Sequence, residues 1–168
     1  MSVMRGKVPV TWDIDYVRQL AYTDISYREK VEDVVVNPID LDRYGANGWI
    51  VDIARDFDLD HFADLLKELS WIKDPLLQVN RVRHGMTLPY HTDKIKYHTD
   101  RGLDIKDVVR VIVFLEEWKP GQHFEADFQN VGTWSAGDWV AFSPTTPHLS
   151  VNSGHHDRYA LQITGTHK

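Results

Sequence analysis

From Leu77 onwards the chain is cut into short apolar runs by turn residues, and that punctuation limits its fold more than any other feature. "LQVNRVRHG", "VVRVIVFLEEW", "HFEADFQ", "GDWVAFS", "HLSVNSG" and "RYALQITG" are each rich in β-branched and aromatic residues. Pro120-Gly121, Gly137-Asp138 and Asn152-Ser153-Gly154 separate them. β-Branched and aromatic side chains fit a pleated surface, and Gly, Pro and Asn supply turn conformations that other residues resist. Short strands at near-regular spacing close into a sandwich or barrel.

Upstream the pattern changes. "DIDYVRQLAY" and "LDHFADLLKELSWI" carry apolar residues at helical spacing, with Phe62, Leu65, Leu66 and Leu69 on one face. "NGWIVDIA" reads as a short strand entered from a glycine turn. The expectation is one α+β domain over residues 1–168. Residues 1–76 form a helical flank with a short strand, and 77–165 form the β core. A chain of 168 residues is long enough to bury such a core.

Composition removes several function classes. There is no cysteine, which excludes disulfides, thiolate metal sites and a cysteine nucleophile. A net charge of -6 argues against general nucleic-acid binding, which needs a concentrated basic surface; Arg81 and Arg83 are the only close arginine pair. No run reaches the roughly 18 to 20 apolar residues of a membrane helix. "MSVMRGKVPVTWD" lacks the apolar stretch of a secretory signal. A soluble, cytoplasmic protein is expected, and nothing in the pattern bears on its oligomeric state.

The tripeptide His-Thr-Asp occurs twice, at 91–93 and at 98–100. Residues two apart on a strand share a face, so His91 with Asp93, or His98 with Asp100, can address one metal ion. His148, at the start of an apolar run, offers a further ligand. Two histidines and one carboxylate with open positions make the facial triad suited to non-haem Fe(II) and dioxygen. Context favours the first copy, because Gly85 and Pro89 lead into His91 on a continuing strand. His98 sits among "KIKY" and "RGLD", which read as loop or a helical turn. His91, Asp93 and His148 are therefore the expected ligands. His98 and Asp100 are assigned to a covering loop over 94–106, touching substrate or nothing. Arg158 follows His148 by ten residues, on the next predicted strand. A guanidinium inside a barrel must pair with an anion, and its fork suits a carboxylate.

This ordered set of His-x-Asp, a distal His and an Arg ten residues beyond resembles the 2-oxoglutarate/Fe(II)-dependent oxygenases. Gly85 with His91-x-Asp93, and "GDWVAFSPTTPHLSVN", are similar to the two motifs of the cupins. The resemblance implies a double-stranded β-helix (cupin or jelly-roll) barrel with flanking N-terminal helices. It implies Fe(II) on His91, Asp93 and His148, with no catalytic residues beyond these ligands. Arg158 would hold the distal carboxylate of 2-oxoglutarate, the co-substrate consumed with O2. The implied activity is hydroxylation of an amino acid, a peptide side chain or a small metabolite, releasing succinate and CO2. Asp93 argues against halogenation, since halogenating relatives lack that carboxylate. The family often places Ser or Thr two residues after the arginine; here Ala160 stands there, so another group must complete the carboxylate site.

"VFLEEWKPGQHFE" also resembles small phage-encoded and bacterial proteins related to aspartyl/asparaginyl β-hydroxylases. For a phage protein the implied location is the host cytosol. Arg110 is similar to a co-substrate-binding arginine of that branch, its alternative being a pair with Asp104 or Asp107. Tyr90, Trp139 and Phe142 are candidates to line the pocket, against a place in the core. His123 and Glu125 share a strand face and either reach the pocket or pair across strands. Other functions stay open: a metal-dependent isomerase, a metabolite-binding module or a catalytically silent interaction protein, because fold does not fix function.

Overall fold

The computed structural model describes residues 2–26, 50–93 and 99–167. Over these, strands dominate and gather into two antiparallel sheets. In chain order they are β1 (Met4–Lys7), β2 (Thr23–Ser26), β3 (Ile50–Ala54), β4 (Lys73–Val82), β5 (Met86–His91) and β6 (Val108–Phe114). Then come β7 (Gln122–Ala126), β8 (Gln129–Asn130), β9 (Asp138–Phe142), β10 (His148–Asn152) and β11 (Arg158–Thr166). The larger sheet runs β1-β9-β6-β11-β4-β3-β2, and the smaller runs β5-β10-β7-β8. Strands β4 to β11 pass back and forth between the two sheets, which is the path of a double-stranded β-helix. The fold expected from the strand punctuation is the fold observed.

The N-terminal flank is more strand than expected. It supplies β1, β2 and β3 to the edges of the larger sheet, and β4 starts at Lys73 rather than near Leu77. β1 was not legible because only Val3 and Met4 precede "RGK", too little apolar alternation to register. Among the described residues of this flank, helix consists of α1 (Ile14–Arg18) and α2 (Ala63–Glu68), which follows a 3-10 turn at Leu59–Phe62. Asp13 caps the first helix by accepting from the Asp15 amide. Phe62, Leu65 and Leu69 are buried, so the apolar face read from the sequence does meet the core; Leu66 packs at its margin.

Alternation along the strands separates two cores. Val109, Val111, Val113, Leu115, Leu161 and Ile163 point out of the barrel and pack under the helices with Phe62, Leu65 and Trp12. Ile112, Phe114, Phe124, Val140, Phe142 and Ala160 point between the sheets. β6 is therefore apolar on both faces apart from Arg110, as the near-continuous run "VVRVIVF" demands. Gly137, in the turn just before β9, has φ near 88°, and a Cβ there would collide with the Val8 carbonyl oxygen. No helix among the described residues is long and apolar enough to cross a membrane.

Candidate metal centre

His148, the first residue of β10, pairs directly with His91, the last residue of β5. That pairing depends on a bulge. Ser150 pairs with Leu88, so Pro89 and Tyr90 together oppose Leu149, one extra residue on β5. The bulge resets the alternation and turns His91 inward beside His148. A proline is at home there, since it has no N–H to give a ladder. The freed Pro89 carbonyl accepts from His91 Nδ1 at 2.7 Å. His148 Nδ1 donates likewise to the Thr146 carbonyl at 2.9 Å. Each ring thus spends Nδ1 on the backbone and turns Nε2 toward the same space, the orientation a metal ligand needs.

Asp93 completes the group. Its backbone N–H donates to the Pro144 carbonyl at 2.9 Å, tying the end of one ligand segment to the turn before the other. Asp93 Oδ1 lies 3.9 Å from His91 Nε2, and Oδ2 lies 3.5 Å from His148 Nε2. The three ligand atoms fall within 4.8 Å of one another. An ion about 2.1 Å from each would draw the three atoms to roughly 3–3.5 Å of one another, a small closure of this group. Asp93 Oδ2 is also buried and ion-paired with Arg110, but lacks a well-aligned hydrogen bond. Burial alone would raise the Asp93 pKa; Arg110, then His148 and His91, more than offset this and hold it below the usual carboxylate range. Burial pushes His148 down to about 4 despite the attraction of Asp93. Both groups are therefore in the protonation state that binds a metal at neutral pH.

Arg110 stands on β6, inward-facing, with Phe142 beside it in register and Thr164 on its other side. Its Nε donates to Thr164 Oγ1 at 3.3 Å while Nη1 meets Asp93. The alternative pairing with Asp104 or Asp107 is not observed, because Arg110 faces into the barrel. Phe142 does line the site, its ring 4.8 Å from that of His148.

Arg158 begins β11 and is only 4% exposed. Its Nη1 donates to the His123 carbonyl at 3.1 Å and its Nη2 to Ser150 Oγ. The Phe124 and Trp134 rings flank it, each 5.9 Å from the guanidinium carbon. No carboxylate among the described residues pairs with it, although Asp157 is its neighbour in sequence and Glu116 lies just past the end of β6. Glu116 is taken by Arg18 and Lys119. The Nε–H of Arg158 is buried without an acceptor. Burial lowers its pKa to about 10, leaving the group charged at neutral pH. Ser150, one same-face step along β10 from His148, thus sets a hydroxyl against Arg158, whereas Ala160 has none to offer.

Four candidates fall elsewhere. Trp139 points out of the barrel and packs 6.3 Å from Trp71 against the helical side. His123 and Glu125 pair with Val151 and Leu149, whereas the inward residues of that ladder are Phe124 and Ser150. They lie on the outer face of the smaller sheet, joined at 2.7 Å. Tyr90 joins them there, donating to Glu125 and packing 5.0 Å from Phe128. The bulge is the reason: strict alternation from Leu88 would put Tyr90 inside, and the extra residue puts it out. Of the second tripeptide, His98 lies outside the described residues and Asp100 is exposed in a helical turn. Sequence reading missed Ser150 and Thr164, whose partners become neighbours only through strand pairing.

No protein-family model matches the chain, and no curated protein matches it in sequence. Solved structures do match in shape. A prolyl-4-hydroxylase from Pseudomonas putida aligns over 98% of this chain and 92% of its own, with TM-score 0.57 and 15% identity. An oxidoreductase of the 2OG-Fe(II) oxygenase family from Burkholderia pseudomallei aligns over 99% of this chain and 85% of its own, with TM-score 0.54 and 11% identity. At such identities the likeness establishes the shared barrel fold, and function is argued from the site.

Proposed function

We propose that the chain is a non-haem Fe(II), 2-oxoglutarate-dependent dioxygenase that hydroxylates an amino acid, a peptide side chain or a small metabolite. The observation that carries this reading is Arg158, a buried guanidinium with unused N–H groups, no carboxylate partner and a direct bond to Ser150. Burying an unpaired charge is costly, and a site keeps one where a ligand of opposite charge completes it. His148 and Ser150 are successive inward residues of β10, so about 6.8 Å of strand separates the triad from this anchor. A five-carbon dicarboxylate matches that gap, one end at the metal and the other at Arg158. One named structural neighbour is described as a 2OG-Fe(II) oxygenase family oxidoreductase and the other as a prolyl-4-hydroxylase, which agrees with the reading.

Each residue then has a task. His91, Asp93 and His148 would hold Fe(II) on one side and leave the opposite side open. Arg158 and Ser150 would bind the distal carboxylate, and the bulk of Phe124 and Trp134 around them would keep water out. Arg110 would orient Asp93 and offer a second cation to the carboxylate nearest the metal. When bound, iron with 2-oxoglutarate and O2 supplies the oxidising power, ending in succinate, CO2 and a hydroxylated substrate. The Phe142 ring would pack the triad from the side and fix the His148 ring.

Anaerobic addition of Fe(II) and 2-oxoglutarate should give a weak visible charge-transfer band, and exposure to O2 should yield succinate. His148→Ala should abolish the band, while His123→Ala, on the outer face, should keep it. A wild-type protein that binds Fe(II) but gives neither band nor succinate would instead be an isomerase or a binding module.

A further inference from the structure

A row of three side-chain amides crosses the inner face of the larger sheet, between Arg158 and the Arg110–Thr164 pair on the same face. Gln78 Nε2 donates to Asn80 Oδ1 at 2.9 Å, and Asn80 Nδ2 donates to Gln162 Oε1 at 3.0 Å. Exposed Arg55 ends the row, its Nε and Nη2 each 3.4 Å from Gln78 Oε1. An arginine can only donate, and this fixes the direction of every bond. Gln78 must turn its oxygen to Arg55 and its NH2 to Asn80; Asn80 must then turn its NH2 to Gln162. The chain ends on the Gln162 NH2 group, which has no acceptor among the described residues. Aligned hydrogen bonds polarise one another, so the cation at the far end strengthens this last donor.

The position of that donor is informative. Gln162 pairs in register with Ile112 and Gln78, and its same-face neighbours on β11 are Ala160 and Thr164. Thr164 holds Arg110, which meets Asp93. Gln162 is therefore one same-face step, about 6.8 Å of strand, from the residue that anchors the triad's arginine. Gln78, Asn80 and Gln162 are all only half-buried, unlike Ile112, Phe114 and Ala160 around them. A row built only to hold the sheet together would end on a satisfied group. This one ends on an open donor facing the space between the sheets. Arg158, at the start of this same strand and two same-face steps from Gln162, anchors the far end of the co-substrate proposed above together with Ser150 on β10. The Gln162 donor thus opens into the cavity between that anchor and the triad, where the molecule being oxidised must reach the metal.

We infer that Gln162 is a specificity-determining donor for an amide or carboxylate oxygen of the substrate, with Arg55 acting through Gln78 and Asn80 as a positioning residue. The substrate class is thus one that carries such an oxygen near the oxidised carbon, as amino acids and peptides do. The inference rests on the oxygenase reading and deepens it.

Zinc(II) with 2-oxoglutarate gives a loaded protein that does not turn over, and N-acetyl amino-acid N-methylamides are the probes. Titration should move the Gln162 side-chain amide resonances in NMR to saturation. Gln162→Glu keeps an acceptor for Asn80 but removes the donor; Gln162→Met removes both. Each should weaken probe binding about tenfold, and Arg55→Met about threefold, while 2-oxoglutarate affinity from the Fe(II) band stays unchanged. A structural role alone would not separate the two affinities. If a protein that forms the band binds no probe, or Gln162→Glu binds probe as tightly as wild type, the inference is overturned. If wild-type protein forms no band, the oxygenase reading fails and this inference falls with it.

Discussion

Arg158 shows at the scale of one residue how a site and a stable fold pull apart. Its guanidinium is buried, bonded only to a carbonyl and a hydroxyl, and flanked by aromatic rings. Replacing it with Met removes a desolvated charge and leaves an apolar chain of similar length. Arg158→Met should therefore leave the unliganded protein as stable or more so, by about 1 kcal/mol, in urea unfolding. The same change should weaken 2-oxoglutarate at least about 100-fold, because charged hydrogen bonds are worth about 1.5–3 kcal/mol each. A site arginine without a dicarboxylate ligand would show the first effect and not the second. His148 makes a different prediction. Its pKa is about 4 in the folded protein against 6.5 for the ordinary group. The unfolded chain takes up a proton near 6.5 that the folded site refuses. Its contribution is fully present above pH 6.5 and is lost as pH falls toward 4. Urea midpoints of metal-free protein should drop over that window, and His148→Phe should flatten the drop.

At the scale of elements, the placement of the triad rests on β5, β10 and the turns that join them to the larger sheet. Asn152 closes the far end of β10. It is fully buried and donates at 2.8 Å to both the Val82 and His156 carbonyls, while its Oδ1 accepts from Gly154. One side chain thus ties the smaller sheet to β4 and to the turn that leads into Arg158. Asn152→Ala strands two carbonyls and a turn amide, and should cost about 2–4 kcal/mol in equilibrium unfolding. Because the turn before Arg158 loosens too, 2-oxoglutarate affinity should fall while Fe(II) affinity changes little. The bulge at Pro89-Tyr90 is the other decisive element. It explains why Tyr90 lies with Glu125 and Phe128 on the outer face although simple alternation would place it beside His148.

Over the whole molecule, two chain segments far apart in sequence must meet to build the metal site, so ion binding is coupled to folding. Metal present at 100 times its dissociation constant should add about 2.7 kcal/mol to unfolding stability. For a domain of this size that corresponds to a rise of about 5–10 °C in Tm, reversed by a chelator. Asp93→Ala should remove the rise. Only a protein whose triad is assembled in the native state and dispersed in the unfolded one behaves this way.

The sequence by itself determined the barrel, since short apolar runs between Gly, Pro and Asn turns have few other ways to bury themselves. It also determined which side chains could bind a metal: with no cysteine, His91, Asp93 and His148 stood out by type and order. The remainder required strand pairing. Which face a strand residue takes depends on register, and a single extra residue on β5 reverses it, so Tyr90, His123 and Trp139 were beyond local pattern. Of the flank's strands, β3 was legible in "NGWIVDIA", while β1 and β2 were hidden because edge strands carry little alternation. Ser150 beside Arg158, Thr164 beside Arg110 and Gln162 beside Asn80 join residues 8 to 82 positions apart. Contacts of that kind leave no local signature, because it is the folded sheet and not the neighbouring sequence that brings them together.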